Sequence, residues 1–221
     1  MLVGVPREIK NSEFRIGLTP AGARELSARG HQVLVQRDAG AGIGLANEAY
    51  EAAGARIVET AAEVYARAEL VIKVKEPQAA ECAMLRPGQV LFTYLHLAPD
   101  PEQTRALLAS GCTAIAYETV TDAHGGLPLL APMSAVAGRM AIQAGAHALE
   151  KAQGGSGVLL GGVPGVKPAE VMVIGAGTVG LNAARMAMGL GAQVTVLDRS
   201  LERLKHIDEL YGQRLATILS S

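Results

Sequence analysis

Residues 171–180 read VMVIGAGTVG, an apolar run followed at once by a glycine-rich turn. The glycines Gly175, Gly177 and Gly180 have the spacing GxGxxG, and a helix-like stretch over 178–190 follows. Between a strand and a helix, the first glycine makes the tight turn and the second lets a pyrophosphate approach the backbone, while the third lets the helix pack closely on the strand. This stretch therefore predicts an α/β fold whose helix N-terminus binds the phosphates of a dinucleotide.

An acidic residue completes the motif. Asp198 lies 18 residues beyond Gly180, at the end of the next predicted strand, 193–197. A carboxylate there accepts hydrogen bonds from both ribose hydroxyls and repels a 2′-phosphate, which favours NAD over NADP. Two alternatives stay open: a glycine turn without a cofactor, and a 2′-phosphate held by the neighbouring Arg199. The strand, turn, helix and carboxylate together favour NAD as the cofactor.

On the N-terminal side of the motif, short apolar runs alternate with longer amphipathic stretches, which is typical of βαβ units around a doubly wound parallel sheet. Thr19 and Asp100 are predicted helix N-caps, and Gly30 and Gly111 are predicted helix ends. The predicted strands are 2–6, 32–36, 69–75, 90–96 and 112–118, and the predicted helices are 20–29, 47–53, 61–68 and 101–109.

The pattern changes near residue 130, where a long helical stretch over 135–152 begins; we expect it to pack through Val136, Met140 and Ile142. A glycine-rich loop follows it. The predicted organisation is a substrate-type α/β domain over 1–133, a connecting helix and loop over 134–170, and an incomplete dinucleotide-binding domain over 171–221, the first βαβαβ half of a Rossmann fold.

Composition excludes several classes of protein. Of the 221 residues, 49% are hydrophobic and 19% are charged, with a formal net charge of −1, which is typical of a globular chain and offers no basic surface for nucleic acid or anionic lipid. No apolar run is long enough to span a bilayer, and the start of the chain lacks a signal-peptide pattern, so we expect a cytoplasmic protein. Cys82 and Cys112 form no CxxC pair, and no metal site is predicted.

Three polar residues follow predicted strands of the first domain. Arg15 lies in the loop after the first strand, Lys75 ends ELVIKVK and His96 ends VLFTYLH. Ligands of doubly wound sheets bind at the carboxyl ends of the strands, so these side chains can converge on one cleft. Arginine and lysine suit a small carboxylate, and histidine exchanges protons near neutral pH.

Each of these residues also has a purely structural interpretation. Arg15 could be a solvated loop residue, Lys75 could form a polar strand end together with Lys73, and His96 could be a buried histidine bonded to a carbonyl. Ser134 is equally open, because it could cap the helix that follows or offer its hydroxyl to a ligand. Convergence at one sheet edge favours the functional interpretation of the first three.

Six stretches together resemble the bacterial alanine dehydrogenase family, and they run in order through the whole chain. The related NAD-binding subunit of proton-translocating transhydrogenase shares the opening pattern and the glycine motif, whereas LFTYLHLA and APMSAVAGRMA resemble alanine dehydrogenase instead. The stretches are VGVPREIKNSEFRIGLTP, VIKVKEP, LFTYLHLA, APMSAVAGRMA, GVLLGGVPGV and VIGAGTVGLNAARMA.

The resemblance implies an oxidoreductase that converts L-alanine reversibly to pyruvate and ammonium with NAD. Arg15 and Lys75 match the residues that hold the substrate, and His96 matches the catalytic acid/base. The resemblance also implies a homo-oligomer, a hexamer. The positions that match cofactor contacts of the family are Ser134, Thr178, Val179, Asp198, Arg203 and Ser220.

The family's chain is longer than this one, and its later strands carry a catalytic aspartate and the loops around the nicotinamide. The resemblance therefore implies that these 221 residues are an N-terminal portion with impaired or no turnover. Two alternatives remain open: the NAD-binding subunit of a transhydrogenase, and a non-catalytic truncated module.

Overall fold

Two parallel β-sheets organise the chain. The computed structural model describes residues 1–220, and it divides into a first unit, Met1–Thr121, and a second unit that begins at Asp122. The boundaries predicted from the sequence, after residues 133 and 170, stay a prediction about domain organisation. In the structure the long helix near residue 140 belongs to the second unit.

The first unit contains six parallel strands in the order β3-β2-β1-β4-β5-β6. This is the strand order of a doubly wound sheet, in which the winding reverses between β1 and β4. The strands are β1 (Leu2–Val5), β2 (Gln32–Gln36), β3 (Arg56–Val58), β4 (Leu70–Ile72), β5 (Val90–Thr93) and β6 (Thr113–Ala116). The doubly wound α/β fold predicted from the sequence is confirmed.

Helices cover both faces of this sheet. One core lies beneath the first two helices and includes Ala23 and Tyr50, and the other lies beneath the later helices and includes Tyr65, Leu91 and Leu107. The central strands are therefore largely buried from two sides, whereas the edge strand β6 is mostly exposed. The helices are α1 (Pro20–Ala28), α2 (Asn47–Glu51), α3 (Ala61–Arg67), α4 (Ala79–Cys82) and α5 (Pro101–Ser110).

The ends of α1 and α5 follow the predicted capping chemistry. The Thr19 side chain accepts a hydrogen bond from the Gly22 N–H at 3.3 Å, and the Asp100 carboxylate accepts one from the Gln103 N–H at 3.0 Å. Gly111 ends α5 with φ +66°, a left-handed conformation that glycine adopts without steric cost. These caps confirm that local residue chemistry sets the helix boundaries here.

The second unit contains a three-stranded parallel sheet in the order β7-β8-β9. Its alternation of strand and helix is the predicted βαβαβ half of a Rossmann fold, which is confirmed. Ala184, Ala187, Val196 and Ile207 lie in its core. The elements are α6 (Ala131–Ala148), β7 (Glu170–Ile174), α7 (Thr178–Gly189), β8 (Gln193–Asp198), α8 (Leu201–Tyr211) and β9 (Ala216–Leu219).

Helix α6 differs from the prediction at both ends, and it ends at Ala148, four residues before the predicted end at residue 152. It begins at Ala131, four residues before the predicted position, because Pro132 falls in its first turn, where proline is favoured. Ser134 is therefore not an N-cap; its N–H donates to the Leu130 carbonyl within the helix. Of the residues expected to pack, only Ile142 is buried, whereas Val136 and Met140 are about half exposed.

Three predicted strands were too long by two or more residues, among them the strand predicted over 112–118, which ends at Ala116 in β6. Strand β4 ends at Ile72 and β5 ends at Thr93, so Lys75 and His96 lie in the loops that follow these strands. The short strand β3 and the short helix α4 were not predicted. Within residues 1–220, no helix is both long enough and apolar enough to cross a membrane.

Candidate functional site

The strand order brings the three predicted substrate-site residues to one edge of the first sheet. Strands β1, β4 and β5 are neighbours, and Arg15, Lys75 and His96 follow them at their carboxyl ends. Arg15 and Lys75 flank the point between β1 and β4 where the winding reverses. Crevices of doubly wound sheets form at this point, so the geometry suits a bound ligand.

Arg15 is anchored by a neighbouring carboxylate. Its Nε donates to Glu13 Oε1 at 2.8 Å and one terminal nitrogen donates to Glu13 Oε2 at 2.6 Å. The Arg15 side chain stays 41% exposed, whereas that of Glu13 is 7% exposed. Hydrogen bonding to Arg15 lowers the pKa of Glu13, and the charge of Lys75 lowers it further, so one carboxylate lies near both cations. Arg15 is therefore a fixed guanidinium, not a freely solvated loop residue.

His96 lies at the same edge and is exposed, which excludes the buried-histidine interpretation. Its ring stacks on that of Tyr94, with centroids 5.8 Å apart and planes at 12°. Burial raises the pKa of Tyr94, and the charge of Arg15 opposes this rise. Tyr94 thus interacts with both Arg15 and His96. The structure brings two cations and an imidazole together through shared neighbours.

A buried ion cluster lies near this edge, and the sequence did not predict it. Lys73 is 1% exposed, and its ammonium lies 3.0 Å from Glu8 Oε2 and 2.7 Å from Glu81 Oε1. Glu8 Oε1 also accepts the Val74 N–H at 2.7 Å, and Tyr65 donates its hydroxyl to Glu81 at 3.2 Å. These bonds tie the loop after β1 to the end of β4. Lys73 is therefore a buried structural cation, not half of an exposed polar strand end.

In the second unit, the three motif glycines have three different structural roles. Gly175 has φ +97°, which residues with a side chain rarely adopt. At Gly180 an added Cβ would lie 3.0 Å from the Gly175 carbonyl carbon and closer still to its oxygen, so α7 packs on this turn only because the side chain is absent. At Gly177, the N-cap of α7, an added Cβ would meet nothing within 4 Å. This open space is where a pyrophosphate would approach the helix N-terminus.

Asp198 is the last residue of β8, and its side chain is hydrogen-bonded to the glycine turn. Its Oδ2 accepts the Ala176 N–H at 2.6 Å, and its Oδ1 accepts the Ser200 N–H at 2.7 Å. These two backbone donors, Ala176 first, lower the pKa of Asp198. Each carboxylate oxygen keeps a further lone pair for a ribose hydroxyl. The residue therefore has a structural role in addition to the one predicted.

A cleft of about 1070 Å³ opens between the glycine turn and α8. Among the predicted cofactor contacts, it is lined by Gly177, Thr178, Asp198 and Arg203. Its volume is at the upper end of the range for small-molecule sites. His206 and Asn182 also line it, and the sequence pattern gave no reason to select either of them. The chemistry of this lining fits the adenosine and pyrophosphate portion of a dinucleotide.

The other predicted cofactor contacts lie in the same unit but do not line this cleft. The Val179 carbonyl faces Gly138, where α6 crosses α7 at close range. Ser134 lies one turn earlier on α6, half buried. Ser220 follows β9, and its N–H donates to the Asp198 carbonyl at 3.0 Å. Within residues 1–220, no group of three or more His, Cys, Asp or Glu side chains could hold a metal ion.

Two protein-family models match this chain, and together they cover most of both units. The model described as alanine dehydrogenase/PNT, N-terminal domain, matches residues 4–137, and the one described as alanine dehydrogenase/PNT, C-terminal domain, matches residues 141–221. A curated alanine dehydrogenase from Halomonas elongata is 62% identical over 221 residues, which are 100% of this chain and 60% of that protein. The chain thus spans about 60% of the length of this curated relative.

Two solved structures also resemble this chain along nearly its whole length. A structure titled L-alanine dehydrogenase superposes with a TM-score of 0.92 at 52% identity, covering 100% of this chain and 61% of that chain. A transhydrogenase from Sinorhizobium meliloti superposes with a TM-score of 0.81 at 27% identity, covering 99% of this chain and 64% of that chain. The likeness extends through both units in each case.

Proposed function

Since the chain belongs to the alanine dehydrogenase/PNT family, we propose that it supplies the substrate-binding unit and the adenosine-binding half-site of an NAD-dependent alanine dehydrogenase. The reaction is the reversible conversion of L-alanine, NAD and water to pyruvate, ammonium, NADH and one proton. We propose it for a protein of the full family length. For the 221 residues themselves we propose ligand binding with impaired or no turnover.

The gathering of Arg15, Lys75 and His96 at one sheet edge carries this proposal. Arg15, held by Glu13, pairs with the substrate carboxylate, and Lys75 contacts the carbonyl side. The two cations orient the substrate carbon for reaction, which is chiefly a proximity effect. NAD, when bound, would supply the acceptor for the hydride, two electrons and one proton, that leaves this carbon.

His96 moves the protons of the hydrolytic half of the reaction. After oxidation the substrate is an imine; water adds to its carbon and gives up a proton to the imidazole. The resulting carbinolamine collapses as its hydroxyl proton leaves and its nitrogen is protonated, which releases ammonium and pyruvate. His96 is exposed at the sheet edge, so its proton can also exchange with solvent.

The second unit supports the choice of cofactor. The open space at Gly177, the N-terminus of α7 and the carboxylate of Asp198 are the three features that a dinucleotide needs in this fold. We propose cofactor contacts at Gly175, Gly177, Thr178, Val179, Gly180, Asp198, Arg203, Ser220 and Ser134. A hexamer is proposed from the family resemblance, and sedimentation measures it.

An assay with three outcomes tests the proposal. NADH formation is followed in the presence of NAD and L-alanine, and binding of NAD and of pyruvate is measured on the same sample by calorimetry. A rate that His96→Ala removes supports catalysis by this chain. Binding of both ligands without a rate supports the proposed half-sites without turnover. Absence of binding for both ligands contradicts the proposal.

The transhydrogenase alternative receives less support. Its structural match is 27% identical, whereas the match to L-alanine dehydrogenase is 52% identical. An NAD-binding subunit of that kind would bind NAD but would have no use for an amino acid or a keto acid. Binding of NAD without any binding of pyruvate or L-alanine would favour it.

A further inference from the structure

The backbone at His96 has an unusual conformation. Its φ is +47°, in the left-handed region, which is uncommon for residues with a Cβ, although His, Asn and Asp adopt it more readily than others. Such a conformation persists only where surrounding contacts enforce it, and it is often found where a side chain must be aimed. The residue next to it, Leu95, is 3% exposed and anchors the turn in the core.

One carboxylate accepts the two N–H groups of this turn. Glu118 Oε1 accepts the His96 N–H at 2.7 Å and the Leu95 N–H at 3.0 Å, and Glu118 Oε2 lies 3.3 Å from the Leu95 nitrogen. Successive N–H groups that point at one anion form a strong, charge-assisted arrangement. Glu118 follows β6, the strand paired with β5, so the sheet itself brings the carboxylate to the turn.

The opposite side of the same peptide is also held. The buried Gln103 side chain donates from Nε2 to the Leu95 carbonyl at 2.7 Å. Tyr117, the neighbour of Glu118, packs edge-on against Tyr94 with centroids 5.1 Å apart, and Tyr94 in turn stacks on His96. The turn and the ring are therefore fixed by contacts from α5 and from the segment after β6.

We propose that Glu118 is a positioning residue for His96: by accepting both N–H groups it holds the left-handed turn that stacks the imidazole on Tyr94. Glu118 acts through the backbone and does not itself exchange a proton with substrate. The acid/base role of His96 rests on the proposed function, whereas the conformational role of Glu118 does not.

Substitutions of Glu118 can separate the effect of its hydrogen bonds from the effect of its charge. Both short hydrogen bonds end on a single oxygen, so Glu118→Gln, with its amide oxygen in that place, keeps them and removes only the charge. Glu118→Met has a similar volume and no oxygen, and Glu118→Ala removes the side chain. Glu25→Ala, at an exposed position on α1, is the matched control.

The decisive experiment is NMR on this chain, with two readouts that a general loss of stability would not produce. These are the exchange rates of the His96 and Leu95 amides, and the ring-current shifts of the His96 imidazole protons caused by Tyr94. Glu118→Ala and Glu118→Met are expected to accelerate exchange of both amides by about tenfold or more and to remove the ring-current shifts. Glu25→Ala is expected to retain the wild-type values, and Glu118→Gln is expected to retain the ring-current shifts and to accelerate amide exchange less than Glu118→Met does.

If Glu118→Met shows the amide exchange rates and ring-current shifts of the wild type, the proposal is overturned. This test remains valid even where Glu118→Ala does not fold. A uniform acceleration of all amides would overturn the proposal as well, because that indicates global destabilisation. In a form that turns over L-alanine, Glu118→Met lowers kcat about tenfold and leaves NAD affinity unchanged. A wild-type chain that binds neither pyruvate nor NAD counts against the proposed function alone, since the NMR readouts still decide the role of Glu118.

Discussion

Replacement of Gly180 by alanine tests how α7 is packed on the dinucleotide turn. An added Cβ would lie 3.0 Å from the Gly175 carbonyl carbon, 3.1 Å from Val173 Cγ1 and closer still to the Gly175 oxygen. Ordinary contact begins at 3.4 Å, so α7 would have to move away from the turn by more than about 1 Å. The move also loosens the packing of Ala184 and Ala187, which are fully buried on the same helix.

The expected loss of unfolding free energy for Gly180→Ala is about 3 kcal/mol, the upper end for overpacking, because the clash is with backbone and no rotamer relieves it. Urea unfolding followed by circular dichroism measures it. Gly189→Ala is the control on the same helix: its Cβ would meet nothing within 4 Å, so the change is expected to be neutral or slightly stabilising.

Gly177→Ala separates packing from ligand approach. Its Cβ also meets nothing in the protein, so stability is expected to stay unchanged, while NAD affinity falls about tenfold or more because the methyl group occupies the pyrophosphate space. Calorimetric titration with NAD measures this. A loss of less than about 1 kcal/mol for Gly180→Ala, or undiminished NAD affinity for Gly177→Ala, would contradict these roles of the two glycines.

Four further predictions concern single side chains. Lys73→Met leaves Glu8 and Glu81 without their shared cation, so urea unfolding should show that the free energy of unfolding falls by about 3–5 kcal/mol. The control Arg37→Met, in the exposed pair with Glu59, should lower the free energy of unfolding far less. Asp198→Ala should lower the preference for NAD over NADP, and an unchanged ratio in paired titrations would contradict the ribose role. Backbone donors lower the pKa of Asp198 in the folded chain below its ordinary value of 3.8. The contribution of this carboxylate to stability should therefore be constant above pH 3.8 and should disappear as the pH falls through the lower pKa of the folded state. Acid unfolding of the wild type and of Asp198→Ala measures the difference. His96→Ala should abolish any L-alanine-dependent NADH formation and leave NAD binding nearly intact; a variant that no longer binds NAD would show that the histidine is structural.

The parts of the fold that could be predicted depend on local chemistry. The glycine motif, the caps at Thr19 and Asp100 and the alternation of strands and helices are each encoded within a few residues. The start of α6 was mispredicted because Ser134 is a good N-cap residue, whereas Pro132 already occupies the first turn of the helix.

The contacts that could not be predicted join residues that are distant in sequence. Lys73 and Glu8 are 65 positions apart, and Glu118 and His96 are 22 apart. No periodic pattern marks such pairs, since they depend on which strands become neighbours in the sheet. Convergence of Arg15, Lys75 and His96 was predictable only because the carboxyl ends of parallel strands share one edge.

One titration tests whether this chain carries two half-sites of an alanine dehydrogenase. Amide NMR spectra of the chain are recorded with pyruvate and then with NAD. Pyruvate is expected to shift the amides around Arg15, Lys75 and His96, and NAD is expected to shift those of Gly175, Gly177, Gly180 and Asp198. Shifts located elsewhere, or none with either ligand at millimolar concentration, would contradict the presence of these half-sites.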